Sequence, residues 1–290
     1  MGLWGAVERL GSRDAGRGMI AWAIDGWPSR SELTGRFCSM SSEKTDAIVL
    51  RVIDFSETSV IVTLFTEQFG KITALAKGAR RPKGPFESAL DLLALVRIVF
   101  LHKSSEGLDL LTEAKLERRF RGAQHGLAPL YAGYYVAELL GEMTDRGDPH
   151  PELFKAANET LWALDHGVSA SLSVLKLELT ALQELGHMPS LVECVSCGAA
   201  VEQTPRVAFG LVVGGVLCGK CRAGQRQVAS VSAAALNLLK QLSETTSENW
   251  QEVLLPPKVA GELRGVISSY LAHLLGHKPK MHDLLGKLNK

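Results

Sequence analysis

The sequence predicts an α+β chain of several domains: an N-terminal OB-fold β-barrel, an α-helical domain, and a four-cysteine zinc ribbon inserted into the helices. Three observations carry this. Five short apolar or β-branched runs lie between about Thr45 and Arg121. The apolar period changes from two to between three and four after about Gly122. Two Cys-x-x-Cys pairs, Cys194/Cys197 and Cys218/Cys221, stand twenty residues apart. The expected boundaries are an extension over 1–44, the barrel over 45–121, the first part of the helical domain over 122–190, the ribbon over 191–227, and the C-terminal helical part over 228–290.

At 290 residues the chain can hold two or three cores. Its net charge of +1 gives no global sign of a nucleic-acid binder, so such a role must come from local charge. The apolar run Met19–Ile24 ends at Asp25, too short for a signal core or a membrane span. Ala6 stands where a myristoylation signal needs Ser or Thr. With no secretory signal, the expectation is a reducing cytoplasm with nucleoid association. There paired cysteines are more often metal or redox sites than disulfides, and Cys38 is left over.

The first 44 residues are rich in Gly, Ser and Arg, and Trp4, Trp22 and Trp27 share no period. They read as a disordered extension. An equally simple reading starts translation at Met40. The strands follow: Ala47–Ile53, Ser59–Phe65, Lys71–Lys77 after the Gly70 turn, Leu93–Leu101, and Leu108–Leu116. Five strands of this length suit an OB-fold. In the helical part, Leu130, Tyr134, Ala137 and Leu140 follow helical spacing. Pro151 opens a second helix, Leu172–Leu185 is a third, and Gly186 ends it. Nine acidic residues between 122 and 186 face three basic ones. A helix near Ser232–Leu242 has Ser230 and Ser232 as candidate caps, and a last helix runs from about Pro257 to Leu275.

Between the cysteine pairs, Val207–Phe209 and Val212–Leu217 read as strand, turn and strand. That hairpin would bring Cys194, Cys197, Cys218 and Cys221 to one structural Zn2+. The alternative is paired cysteines that have lost their metal. A redox pair is disfavoured because neither Cys-x-x-Cys opens a helix after a buried strand. Four thiolates leave no ligand position for a catalytic water. The zinc-deaminase pattern also fails, since Glu193 and Leu217 precede the two pairs.

The second constellation is Lys77-Gly78-Ala79-Arg80-Arg81-Pro82-Lys83-Gly84, four cations within seven residues. A Gly/Pro-rich basic loop on a barrel rim is suited to phosphates, and Lys71 and Arg51 would extend it. The competing reading is a solvated surface loop. Arg118, Arg119 and Arg121 form a second cluster, open between DNA contact and pairing with the acidic helices. Aromatics in the barrel (Phe55, Phe65, Phe69, Phe86, Phe100) are sparse, and some alternate with core positions, where such residues are more often core than stacking platforms. Binding is therefore expected to lean on electrostatics. The tail, His277, Lys278, Lys280, His282, Lys287 and Lys290 against Asp283, suits either DNA, an acidic peptide, or its own helix end. No Walker loop, dinucleotide fingerprint or nucleophile elbow is present, and Asp165-His166 and Gly186-His187 hold lone histidines. The chain does not read as an enzyme.

The order of the motifs resembles the bacterial RecO family of recombination mediators. The likeness is carried by Glu57-Thr58, by Leu64-Phe65-Thr66-Glu67 with Gly70, and by Lys77-Gly78-Ala79-Arg80. It continues in Asp148-Pro149-His150-Pro151-Glu152-Leu153-Phe154, Leu185-Gly186-His187-Met188-Pro189 and Gly214-Gly215-Val216-Leu217-Cys218. It covers nearly everything after residue 45. The resemblance implies a DNA repair role: binding single- and double-stranded DNA, annealing complementary strands, and acting with RecR to replace the single-strand DNA-binding protein by RecA. It also implies contact with the acidic, apolar C-terminal tail of that single-strand binder. The rival from another class is a zinc-ribbon adaptor in transcription or translation. A basic barrel face favours the first, an apolar or acidic face the second.

Overall fold

The computed structural model describes residues 41–82, 84–86, 88–102, 107–202, 204–245, 249–282 and 284–285. Expectations that fall on Cys38, Lys83, Asp283, Lys287, Lys290 and residues 1–40 lie outside them. Five strands close a barrel in the order β1-β2-β3-β5-β4. They are β1 (Ser41–Asp54), β2 (Val60–Thr66), β3 (Gly70–Ala76), β4 (Leu95–His102) and β5 (Asp109–Arg118). β3 and β5 run parallel, and β1 pairs with both β2 and β4 to close the ring. The closed, five-stranded barrel is the predicted OB-fold architecture.

β1 begins at Ser41, within the segment read as an extension. Its first residues are polar and exposed, so they carry no core pattern. They form a ladder only because β4 runs opposite, from Ser41 against His102 to Ile48 against Leu95. A bulge between Val49 and Arg51 then lets the strand turn from β4 to β2. Alternation along β1 serves two cores. Ala47 and Val49 enter the barrel interior with Val62, Leu64, Ile72, Val96, Ile98 and Phe100. Ile48 and Leu50 face out and join the helical core with Phe65. A strand buried on both faces reads as a continuous apolar run, which is why the period-two signal is weak there.

The helical domain contains α1 (Leu127–Met143), α2 (Pro151–Asp165), α3 (Ala170–Glu184), α5 (Ala233–Glu244) and α6 (Pro257–Leu275). α1 buries Tyr135, Val136, Leu139 and Leu140, while Tyr134 points out. Helical spacing placed Tyr134 on the inner face. The helix is apolar nearly all round, so periodicity does not locate its face, and the neighbouring Tyr135 takes the core. Pro151 stands at the start of α2, and Gly186 leaves α3 with a φ of 73°.

The ribbon lies between α3 and α5. Its sheet has three strands in the order β7-β6-β8: β6 (Arg206–Gly210), β7 (Gly215–Leu217) and β8 (Val228–Ser232). β7 is shorter than the predicted Val212–Leu217 because Leu211–Gly214 forms the turn. β8 was missed: its run Val-Ala-Ser-Val-Ser is short and leads straight into α5. Ser232 ends β8 and caps α5, its hydroxyl accepting from Ala235 N–H at 3.2 Å. Among the described residues, no helix is long and apolar enough to cross a membrane.

Candidate nucleic-acid interface and metal centre

Cys194 opens a tight turn. The Cys197 and Gly198 amides both donate to the Cys194 carbonyl, at 3.2 and 2.8 Å, and Gly198 takes a φ of 72° that favours glycine. Cys218 leads into the short helix α4 (Gly219–Arg222), where the Arg222 amide donates to the Cys218 carbonyl at 3.1 Å. The Val195 amide donates to the Val216 carbonyl at 3.0 Å, which ties the first turn to β7. The four Sγ atoms consequently lie within 4.8 Å of one another, with Cys197 and Cys218 3.8 Å apart. A tetrahedron with metal–sulfur bonds of about 2.3 Å has edges of about 3.8 Å. The donor set and the spacing fit zinc.

The thiols are electrostatically coupled. Backbone hydrogen bonding, first from Cys218 and then from Ser196 and Cys197, outweighs burial and holds Cys194 down to about 6. Cys221 is pushed up to about 12, by its hydrogen bonds with the Cys197 and Cys218 sulfurs and by burial. Backbone hydrogen bonding, first from Cys221, lowers Cys218 as well, so two sulfurs are shifted down and Cys221 resists ionisation. Only a cation makes four thiolates favourable in one place. An ion held by all four thiolates would keep no ligand position for water, so such a centre would hold structure rather than activate water.

The basic loop follows β3 at one end of the barrel. Lys77, Arg80, Arg81 and Pro82 are exposed. The loop is built rather than slack. The Arg80 amide donates to the Thr58 carbonyl at 3.1 Å and the Gly78 amide to Ser59 Oγ at 3.3 Å. The Arg81 amide closes on the Gly78 carbonyl at 3.0 Å, with Gly78 at a φ of 71°. These bonds fasten the loop to the β1–β2 hairpin tip. The Arg80 guanidinium also forms an ion pair with Asp54 at the end of β1. Arg51 is exposed on the same outgoing half of β1.

The remaining predicted cations are placed differently. Lys71 is turned away from the loop. Its ammonium donates to the carbonyls of Gly141, at 2.6 Å, and Thr144, at the C-terminal end of α1. Burial pushes its pKa down, with Asp145 pulling the other way. Alternation in β3 gave no hint of this, because the partner carbonyls lie some seventy residues on. Arg118 bonds the side chain and, at 3.1 Å, the carbonyl of Asn158 in α2, so it joins barrel to helices. Burial lowers its pKa too, against the pull of Asp165. Arg119 pairs with Asp91 and donates to the Ser88 carbonyl at 3.0 Å. The Arg121 amide donates to Asp165 at 2.6 Å, and the three arginines line one cleft with Asp165 and His166. Of the tail, the Lys280 and Met281 amides donate to Glu138 in α1, at 2.7 and 2.9 Å. His277 lies 3.9 Å from Glu142.

The sequence matches the family description "Recombination protein O N terminal" over residues 40–120 and "Recombination protein O C terminal" over residues 124–283. It is 42% identical over 262 residues to the DNA repair protein RecO of Rhodopirellula baltica, covering 82% of this chain and 97% of that one. It is 34% identical over 245 residues to the DNA repair protein RecO of Myxococcus xanthus, covering 84% and 96%. To the RecO of Symbiobacterium thermophilum it is 31% identical over 253 residues, covering 86% and 98%. The first match covers the barrel and the second covers the helices with the ribbon inside them, so the chain belongs to the recombination protein O family of DNA repair proteins.

Proposed function

We propose that the chain is a non-enzymatic recombination mediator that grips DNA backbones with one end of its barrel. The observation that carries this is the loop at Lys77–Pro82. Three exposed cations are presented by a turn bonded to the neighbouring hairpin, so the backbone that carries them is set before any strand arrives. Phosphates bound there would release counterions and lose their mutual repulsion, which favours annealing of two complementary strands without nucleotide hydrolysis. The loop takes single and double strands alike, because backbone charge is common to both. Together with RecR, the chain would help RecA replace the single-strand DNA-binding protein, whose acidic tail would dock on the helical domain. The zinc ribbon holds its own hairpin together and takes no chemical part. Thiols kept free for a metal suit a reducing cytoplasm.

The test is annealing of complementary oligonucleotides coated with the single-strand binder, with and without RecR. The wild-type chain should anneal them, and Lys77→Ala/Arg80→Ala/Arg81→Ala should lose most of that activity. A triple variant that binds and anneals as wild type across a salt titration overturns the loop assignment. A wild-type chain that binds no DNA at all would return the protein to the adaptor class.

A further inference from the structure

We infer that Phe55 is a base-stacking platform, so that the barrel tip takes an unpaired nucleobase beside the phosphates its cations hold. The inference rests on the nucleic-acid reading above and names the part of the substrate that this end of the barrel selects.

Between Thr45 and Phe100 the chain has five phenylalanines. Phe65, Phe86 and Phe100 are buried, and Phe69 packs edge-on against Phe100 with ring centroids 5.3 Å apart. Phe55 is 60% exposed. Its position is fixed by a closed turn. The Phe55 and Ser56 amides both donate to the Ser59 carbonyl, at 3.0 and 3.1 Å, and the Ser59 amide donates to Ser56 Oγ at 3.2 Å. The same turn supplies the Thr58 carbonyl and the Ser59 hydroxyl that accept from the Arg80 and Gly78 amides of the basic loop. The turn that carries Phe55 is therefore bonded to the loop that carries the cations. Arg51, Lys77, Arg80 and Arg81 outnumber Asp54 and Glu57 there, and Asp54 is paired with Arg80. Ile53, two residues before Phe55 in the chain, is exposed as well.

Phe55 belongs to neither hydrophobic core, and most of it is exposed to water. A nucleobase offers a flat π face, and a ring beside a phosphate-binding loop is well placed to receive it. Bases inside a duplex already stack on their neighbours, so the ring adds affinity for unpaired bases alone. The cations hold either kind of strand, and Phe55 distinguishes them.

Fluorescence anisotropy with three probes tests this: an oligothymidylate, a strand of equal length with abasic spacers, and a duplex. Phe55→Ala should bind the oligothymidylate about 5- to 150-fold more weakly, the loss of one stacked base. Its binding to the abasic strand and the duplex should not change, and Phe55→Trp should restore the first. An exposed position keeps both variants folded, which circular dichroism checks. The inference is overturned if Phe55→Ala binds oligothymidylate like wild type, or weakens equally on all three probes. A wild-type chain that binds none of the probes overturns the nucleic-acid reading as well. One that binds all three, with Phe55→Ala unchanged, removes only the stacking role.

Discussion

The Lys71 ammonium, on the second residue of β3, donates a 2.6 Å hydrogen bond to the carbonyl of Gly141 in the last turn of α1. Thr144, which caps that helix, supplies a second acceptor. A cation at a helix C-terminus meets both the unpaired carbonyls and the negative end of the dipole. Lys71→Met leaves those carbonyls without their donor and should cost about 1–3 kcal/mol, read by urea unfolding. The salt slope of DNA binding should stay where it is.

Lys77, Arg80 and Arg81 should behave in the opposite way. Each Ala substitution should make the dependence of log K on log salt shallower by about one unit, with unfolding free energy nearly unchanged. Asp54→Asn should tighten binding at low salt by up to about fivefold, since it releases Arg80 from an exposed pair worth about 1 kcal/mol at most. Equilibrium binding between low and moderate salt checks both.

Purified protein should hold about one zinc per chain, measured by elemental analysis. Replacing Cys194 or Cys218 by Ser should abolish that content and lower the melting temperature. A chelator strong enough to strip the metal should reproduce the shift.

Glu178 is fully buried and accepts from Tyr135 Oη at 2.6 Å, and it pairs with Arg264, whose Nε reaches Ser268 Oγ at 3.0 Å. The group joins α1, α3 and α6. Burial pulls the Arg264 pKa down, but Glu178 and Tyr135 outweigh it and hold the guanidinium charged. Arg264→Leu strands a buried carboxylate and should destabilise by about 3–5 kcal/mol. A double variant, Arg264→Leu/Glu178→Gln, should recover part of that loss.

Glu262 in α6 accepts from the Ser232 amide at 3.0 Å and the Ser232 hydroxyl at 2.5 Å, and from Arg206 at 2.8 Å. Burial pushes its carboxyl up, but the Ser232 hydrogen bonds and the Arg206 charge outweigh it and hold it below the usual range. The folded pKa then lies below the unfolded value of about 4.3. The stabilisation is complete above that value and is lost as pH falls through the folded pKa. Glu262→Gln should melt lower than wild type at neutral pH and converge with it in acid.

The sequence exposed what repeats or is local. Five strands announced themselves by apolar or β-branched runs, α6 by the stretch from about Pro257 to Leu275, and the metal centre by the spacing of four cysteines. Long-range partners left no trace. Lys71 and Arg51 look alike in the chain, yet one is bonded to helix carbonyls and the other is exposed in solvent. Tyr134 and Tyr135 are adjacent in a helix apolar all round, so only packing chooses between them. β8 was hidden because its pairing strand, β6, precedes it by some twenty residues. Phe55 looked like its core-bound neighbours until the hairpin tip placed it outside the barrel.

Gly70 begins β3 at a φ of 63°, and a Cβ there would collide with the backbone of Asp148 in the segment before α2. With Lys71 beside it, this end of β3 is clamped to the helical domain. The other end, about 20 Å away at 3.3 Å per residue, runs directly into Lys77. β3 is thus a strut, fixed at one end and loaded at the other. Because β3 spans the two without a break, it sets the spacing between the basic loop and this anchorage on the helical domain.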